Sequence, residues 1–151
     1  MSAMEQHDIL IVDDDYAIRT LLSRTLERAG LRCGVAVDGV AATERIEHTD
    51  YALVLLDLMM PRLDGIGFVD SLRDRQKRGG ARPVVLFMTA SPDRKDLTST
   101  GDMVQAVLPK PFDLHGVVEL CRDCVAALRE SRSAGATGAT HALSFARRAL
   151  P

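Results

Sequence analysis

The sequence predicts a doubly wound α/β sandwich on a five-stranded parallel sheet of order 2-1-3-4-5, and three observations predict it. Short unbroken runs of Val, Leu and Ile alternate with stretches that carry apolar residues at helical spacing. The runs lack the apolar–polar alternation of a sheet with one wet face, so both faces should be covered. Two of the runs stop on carboxylates, at Asp13-Asp14-Asp15 and at Asp57. In open α/β sheets the crevice beyond the strand carboxyl ends is where ligands bind.

Residues 8–14, Asp-Ile-Leu-Ile-Val-Asp-Asp, read as the first strand. From Tyr16 to Ala29 the positions Ile18, Leu21, Leu22, Thr25 and Leu26 recur at helical spacing, and Gly30 is a natural stop. Residues 31–37 form a weaker strand, residues 38–47 a short helix, and His48-Thr49-Asp50 a turn into the central strand, Tyr51 to Asp57. Pro61 to Gly65 is loop chemistry; Ile66, Phe68, Val69 and Leu72 open a third helix that should end before Gly79-Gly80. Pro83 to Met88 is a strand ending at Thr89-Ala90-Ser91, and Pro92 can open a helix capped by Ser91. Between Asp93 and Asp102 only Leu97 offers an apolar anchor, so this helix should be short and loosely held. Val104 to Leu108 is the fifth strand, Pro109-Lys110-Pro111-Phe112 a rigid turn, and Asp113 to Glu130 the last helix, with a stripe of Leu114, Val117, Val118, Cys121, Val125 and Leu128. Residues 131–151, small and polar at first, read as a flexible tail with no output domain. Strand and helix alternate throughout, the pattern of a flavodoxin-like sandwich joined by right-handed crossovers.

Composition bounds the function. A chain of 151 residues, 46% hydrophobic, with net charge −2, is one globular domain in size. Arg132, Arg147 and Arg148 lie in 131–151 without an acid, so residues 1–130 hold 16 basic against 21 acidic residues, a net charge of −5. An acidic body argues against nucleic-acid binding, which depends on neutralising phosphates. No apolar run approaches a membrane span and the first residues lack a secretory plan, so a cytoplasmic protein without membrane contact is expected. The odd set Cys33, Cys121 and Cys124 fits no disulfide framework.

With strands one, three, four and five adjacent, their carboxyl ends gather Asp13, Asp14, Asp57, Thr89 and Lys110. Carboxylates within ~4–6 Å repel unless a cation lies between them. Mg²⁺, which takes oxygen ligands and keeps several waters, suits such a site. A hydroxyl and an ammonium on the far side suit a phosphoryl group, with Asp57 as nucleophile.

Ile9 to Asp15, Leu55 to Pro61 with Asp64-Gly65, Met88-Thr89-Ala90 and Pro109-Lys110-Pro111-Phe112 together resemble the receiver domain of two-component response regulators. The resemblance covers about residues 8–130 and is carried by four pieces in order at compatible strand ends. It implies Asp57 as phosphoacceptor, Asp13 and Asp14 as the acidic pair for Mg²⁺ and the Met59 carbonyl as a further ligand. It also implies Thr89 as the switch hydroxyl that follows the phosphoryl group, Lys110 as the ion-pair partner of that group, and a cis bond between Lys110 and Pro111. A histidine kinase or histidine phosphotransfer protein would supply the phosphoryl group, and an unnamed downstream protein would read it. Self-catalysed, Mg²⁺-dependent phosphorylation and dephosphorylation is the chemistry implied, with no small-molecule turnover. Where the family commonly has Tyr or Phe three residues before the lysine, this chain has Val107. The weak segment 92–103 is expected to be mobile and ordered by phosphorylation.

Other readings are plainer. Cys121 and Cys124 lie within an amphipathic stripe and read as helical core; His7, His48, His115 and His141 as surface; Met59-Met60 as packing and loop; and Arg73, Arg75, Lys77 and Arg78 as a solvated face. The competing function is a phosphorylation-independent interaction module on the same fold. A haloacid-dehalogenase-type hydrolase needs a second Asp two residues after the nucleophile, and that position is Met59. No Gly-x-Gly-x-x-Gly follows the first strand, which excludes dinucleotide binding.

Overall fold

The computed structural model describes residues 5–60, 62, 64–80, 83–90 and 104–133. The helix expected after Pro92, residues 92–103 for which mobility is expected, residues 134–151 and His141 lie outside them. The elements are β1 (Glu5–Val12), α1 (Tyr16–Arg28), β2 (Cys33–Ala36), α2 (Gly39–His48), β3 (Thr49–Asp57), α3 (Gly65–Lys77), β4 (Val84–Thr89), β5 (Val104–Pro109) and α4 (Leu114–Ser133). All strand pairs are parallel and the order is β2-β1-β3-β4-β5, the doubly wound flavodoxin-like arrangement expected.

Two apolar layers explain the unbroken strands. On β3, Leu53 and Leu55 join Ile9, Ile11, Leu86 and Met88 in a core closed by Leu22 and Leu26 of α1 and Val117, Cys121 and Val125 of α4. Val54 and Leu56 face the other way, with Leu10, Val12, Val85 and Phe87, against Ala42 and Ile46 of α2 and Phe68, Val69 and Leu72 of α3. Side chains alternate between faces along a strand, so apolar residues at every position mean that both faces are buried.

Helix starts are set by carboxylates. Asp15 accepts from the backbone N–H groups of Ala17 and Ile18, Asp38 from Ala41, and Asp64 from Gly67. Each meets donors that the first helical turn leaves without an intrahelical acceptor. Gly30 and Gly79 sit at φ +89° and +88°, just past α1 and α3, a conformation that spares glycine a steric penalty.

Several expectations need correction. Leu21 is exposed, because the buried stripe of α1 narrows to Leu22 and Leu26 with Ile18 at its margin. His48-Thr49-Asp50 forms no separate turn: His48 ends α2, and Thr49, its C-cap, already pairs with Glu5 in the sheet. Arg75 is no solvated charge; its guanidinium lies 3.5 Å from Asp50 and its side chain is largely covered. His7 is half-buried, with its ring 5.8 Å from that of Tyr51. The last helix runs to Ser133, three residues beyond the expected Glu130. Among the described residues no helix is long and apolar enough to cross a membrane.

Candidate functional site

Asp57 is the last residue of β3. The β3–β4 register sets it beside Met88, so Thr89 ends β4 one residue further on, almost wholly buried. Thr89 in turn lies beside Pro109 on β5, and its carbonyl accepts the Lys110 N–H at 2.7 Å. That bond carries the chain across the sheet edge, and the Lys110–Pro111 peptide is cis. From the other side β1 ends at Val12 and delivers Asp13, fully buried, whose N–H donates to the Ala36 carbonyl.

Four of the expected side chains, those of Asp13, Asp14, Asp57 and Lys110, therefore meet. One carboxylate oxygen from each of Asp13, Asp14 and Asp57 falls within 4.8 Å of the others, with Asp14 exposed and the other two buried. Lys110 Nζ donates to Asp13 Oδ2 at 2.8 Å and stands 3.6 Å from Asp57 Oδ2. Asp57 Oδ1 accepts the Met59 N–H at 3.2 Å, and Asp13 Oδ1 the Asp15 N–H at 2.9 Å. Of the three consecutive acids, Asp15 is thus diverted to capping α1, and the pocket keeps Asp13 and Asp14.

Electrostatics follow from this crowding. Burial, then the charge of Asp13, push Asp57 from its ordinary 3.8 up to about 6, against the opposing pull of Lys110 and the Met59 N–H. Burial works against the Lys110 ammonium, but the hydrogen bond to Asp13 and the charges of Asp13 and Asp57 outweigh it and hold its pKa above the ordinary value. Three carboxylates facing one ammonium leave negative charge in excess. All donors are oxygens, the set that suits a hard divalent cation and not a soft one, so the pocket fits such an ion.

The loop after Asp57 is built for close approach. A Cβ on Gly65 would stand 2.8 Å from the Asp57 carbonyl oxygen and 2.9 Å from the Phe87 ring, so the start of α3 can seat against the end of β3 only with glycine there. The Leu58 carbonyl accepts the Gly65 N–H, closing the loop. Met59 is 62% exposed, while Met60 packs against the apolar layer of Phe68 and Phe87, on the α2–α3 side of the sheet. Val107 packs against that same layer, beside Phe87 on the neighbouring strand.

Sequence reasoning missed two residues at this edge. Arg19, one turn into α1, donates from its guanidinium to the Asp13 carbonyl oxygen at 2.7 Å. Arg62, in left-handed backbone at φ 68°, reaches Asp38 Oδ2 at 3.1 Å and ties the β3–α3 loop to the start of α2. No short-range pattern marks either, since each partner lies on a different loop or turn. The cysteines match the core reading: Cys121 and Cys124 are fully buried, burial raises both thiol pKa values, that of Cys124 to about 11, and all three cysteines are free thiols.

Comparison with known proteins agrees with this geometry. A profile of the response regulator receiver domain matches residues 9–122. The transcriptional activator protein PfeR of Pseudomonas aeruginosa is 35% identical over 106 residues, covering 70% of this chain and 33% of that protein. Response regulator Rre1 of Synechocystis is 33% identical over 143 residues, covering 89% of this chain and 58% of that one. The chain thus spans between a third and somewhat over half the length of these two relatives. Among solved structures, the response regulator TrrA of Thermotoga maritima, determined in complex with Mg²⁺–BeF, is similar with a TM-score of 0.62 and 26% identity over 79% of this chain and 97% of that one. With the 2-1-3-4-5 sheet and the acidic pocket at its carboxyl edge, the match over residues 9–122 shows that this chain belongs to the receiver domain family of response regulators.

Proposed function

We propose that this receiver accepts a phosphoryl group on Asp57 from a phosphohistidine of a histidine kinase or phosphotransfer protein and signals by a changed affinity for a partner protein. The observation that carries the reading is the pocket around Asp57: two more carboxylates within 4.8 Å, and an ammonium 3.6 Å from its Oδ2. In the transfer a lone pair of the Asp57 carboxylate forms the new P–O bond as the P–N bond breaks, and the electron pair of that bond leaves on the imidazole. The Met59 N–H orients the Asp57 carboxylate through Oδ1. Lys110, held by Asp13, places its charge where phosphoryl oxygens would arrive. Thr89, buried at the end of the next strand, is the hydroxyl that would follow the bound phosphoryl group.

Asp13, Asp14 and Asp57, with the Met59 carbonyl, would hold Mg²⁺. When bound, the ion neutralises charge on the transferring oxygens. The carboxylate set and the likeness to a receiver whose structure contains Mg²⁺–BeF support this choice.

Treatment of the purified protein with acetyl phosphate and Mg²⁺ tests the reading. The expected result is a labile mass increase of one phosphoryl group, absent in Asp57→Ala and abolished by a chelator. An intact, folded wild-type protein that takes up no phosphoryl group under these conditions would favour the phosphorylation-independent interaction module.

A further inference from the structure

Three acids in a row leave β1, and something must fix the peptide planes that aim them. Asp13 is fully buried and every polar group on it is engaged: N–H to the Ala36 carbonyl, Oδ1 from the Asp15 N–H, Oδ2 from Lys110 Nζ, and carbonyl oxygen from the Arg19 guanidinium. The last bond decides the orientation of the Asp13–Asp14 peptide, because a peptide is planar and its carbonyl direction sets the path of the next Cα. Asp14, the exposed member of the pocket, hangs from that peptide.

Arg19 is itself seated. Its guanidinium carbon lies 5.8 Å from the centre of the Tyr16 ring, and Tyr16 is 73% exposed at the first position of α1. A large aromatic left mostly in solvent has little apolar reason to be there, but a ring face attracts a cation and shields it from water. Both residues ride on α1, whose start is capped by Asp15, so helix, cap and guanidinium form one rigid frame around the β1–α1 turn.

We infer that Arg19, shelved on Tyr16, is a positioning residue of the acidic pocket: its hydrogen bond to the Asp13 carbonyl aims Asp13 and Asp14 at the cation they share with Asp57. The inference rests on the proposed Mg²⁺ and phosphoacceptor role of that pocket. It separates from a simple charge effect by sign. Removing a nearby positive charge should by itself tighten binding of a divalent cation, whereas losing the positioning bond should weaken it.

The test compares Arg19→Ala, Arg19→Lys and Tyr16→Leu with Arg24→Ala, an exposed arginine of the same helix that changes net charge equally. Two quantities are read: Mg²⁺ affinity by calorimetry, and amide exchange of Asp15 in metal-free protein, since that N–H closes the turn onto Asp13 Oδ1. In Arg19→Ala, Mg²⁺ affinity should fall and Asp15 exchange should rise, each about tenfold, the scale of one charge-assisted hydrogen bond. Arg19→Lys should recover most of both, Tyr16→Leu should lose about two- to fivefold, the scale of an exposed cation–π contact, and Arg24→Ala should leave Asp15 exchange unchanged and Mg²⁺ affinity unchanged or tighter. Unchanged Asp15 exchange in Arg19→Ala overturns the inference, as does equal weakening of Mg²⁺ binding by Arg24→Ala. If Arg19→Ala does not fold, Tyr16→Leu on an exposed site decides in the same way. A wild-type protein that binds no Mg²⁺ would refute the proposed function, while the metal-free exchange data would still decide the role of Arg19.

Discussion

Replacing Asp57 by Asn should stabilise the metal-free protein at neutral pH, although it removes the residue on which the function is built. Asp57 has its pKa raised from 3.8 to about 6, first by burial and then by Asp13, with Lys110 and the Met59 N–H only partly offsetting them. A carboxyl whose folded pKa lies above its unfolded value binds its proton more tightly in the fold, so stability is lost as pH rises from about 4 through about 6. Each tenfold change in proton affinity corresponds to about 1.4 kcal/mol, which gives about 3 kcal/mol as the ceiling above pH 7. The pocket opens to solvent on the Asp14 side and its neighbours titrate with it, so about 1–2 kcal/mol is the expected effect. Asn is nearly isosteric with the protonated carboxyl. Wild type and variant should therefore coincide below about pH 4, diverge as pH rises towards about 6 and stay apart above it, the variant melting about 3–8 °C higher at neutral pH. Urea and thermal unfolding followed by circular dichroism, in chelator, across that range would measure it. Adding Mg²⁺ should reverse the order, since ligand at about a hundred times its Kd contributes about 2.7 kcal/mol to the form that binds it. A variant no more stable than wild type at neutral pH, or a difference independent of pH, would refute the assignment of unfavourable charge to Asp57.

Gly65→Ala should cost about 1–3 kcal/mol in urea unfolding and slow phosphorylation by acetyl phosphate, because the added methyl group meets the Asp57 carbonyl and the Phe87 ring and the start of α3 must shift. Asp38→Ala should cost about 1–2 kcal/mol, losing the cap of α2 and the ion pair to Arg62 together; Arg62→Gly should cost less, since it also relieves a left-handed backbone. Cys121 and Cys124 should resist a thiol reagent at pH 8 until the protein is unfolded by denaturant, because burial holds both thiols well above the ordinary range; labelling in the native state would show that the α4 core opens.

Much of this was legible in the chain. Apolar runs without alternation at β1, β3 and β4 read as strands covered on both faces, as they are, and Asp57 and Thr89 stand at the ends of two of them. What was misjudged involves residues whose surroundings come from distant elements. Arg75 read as a solvated charge because Asp50, its partner, stands at the start of β3 while Arg75 stands near the end of α3, and Leu21 read as core because only packing decides how wide the buried stripe of α1 is. His7 read as surface until the sheet set it beside Tyr51.

The sequence by itself determined the fold class, the strand order and the identity of the acids, hydroxyl and lysine at one edge of the sheet, because side-chain period, capping residues and strand ends are local properties of a chain. Only the tertiary structure decided how those groups share the edge. It sends Asp15 to the α1 cap, leaves Asp13 and Asp14 beside Asp57, ties Lys110 to Asp13 more closely than to Asp57, and brings Arg19 onto the Asp13 carbonyl. The physical reason is that charges interact through space: how strongly each carboxylate feels its neighbours depends on separations of a few ångströms and on burial, and both are created only when β1, β3 and β5 lie in one sheet.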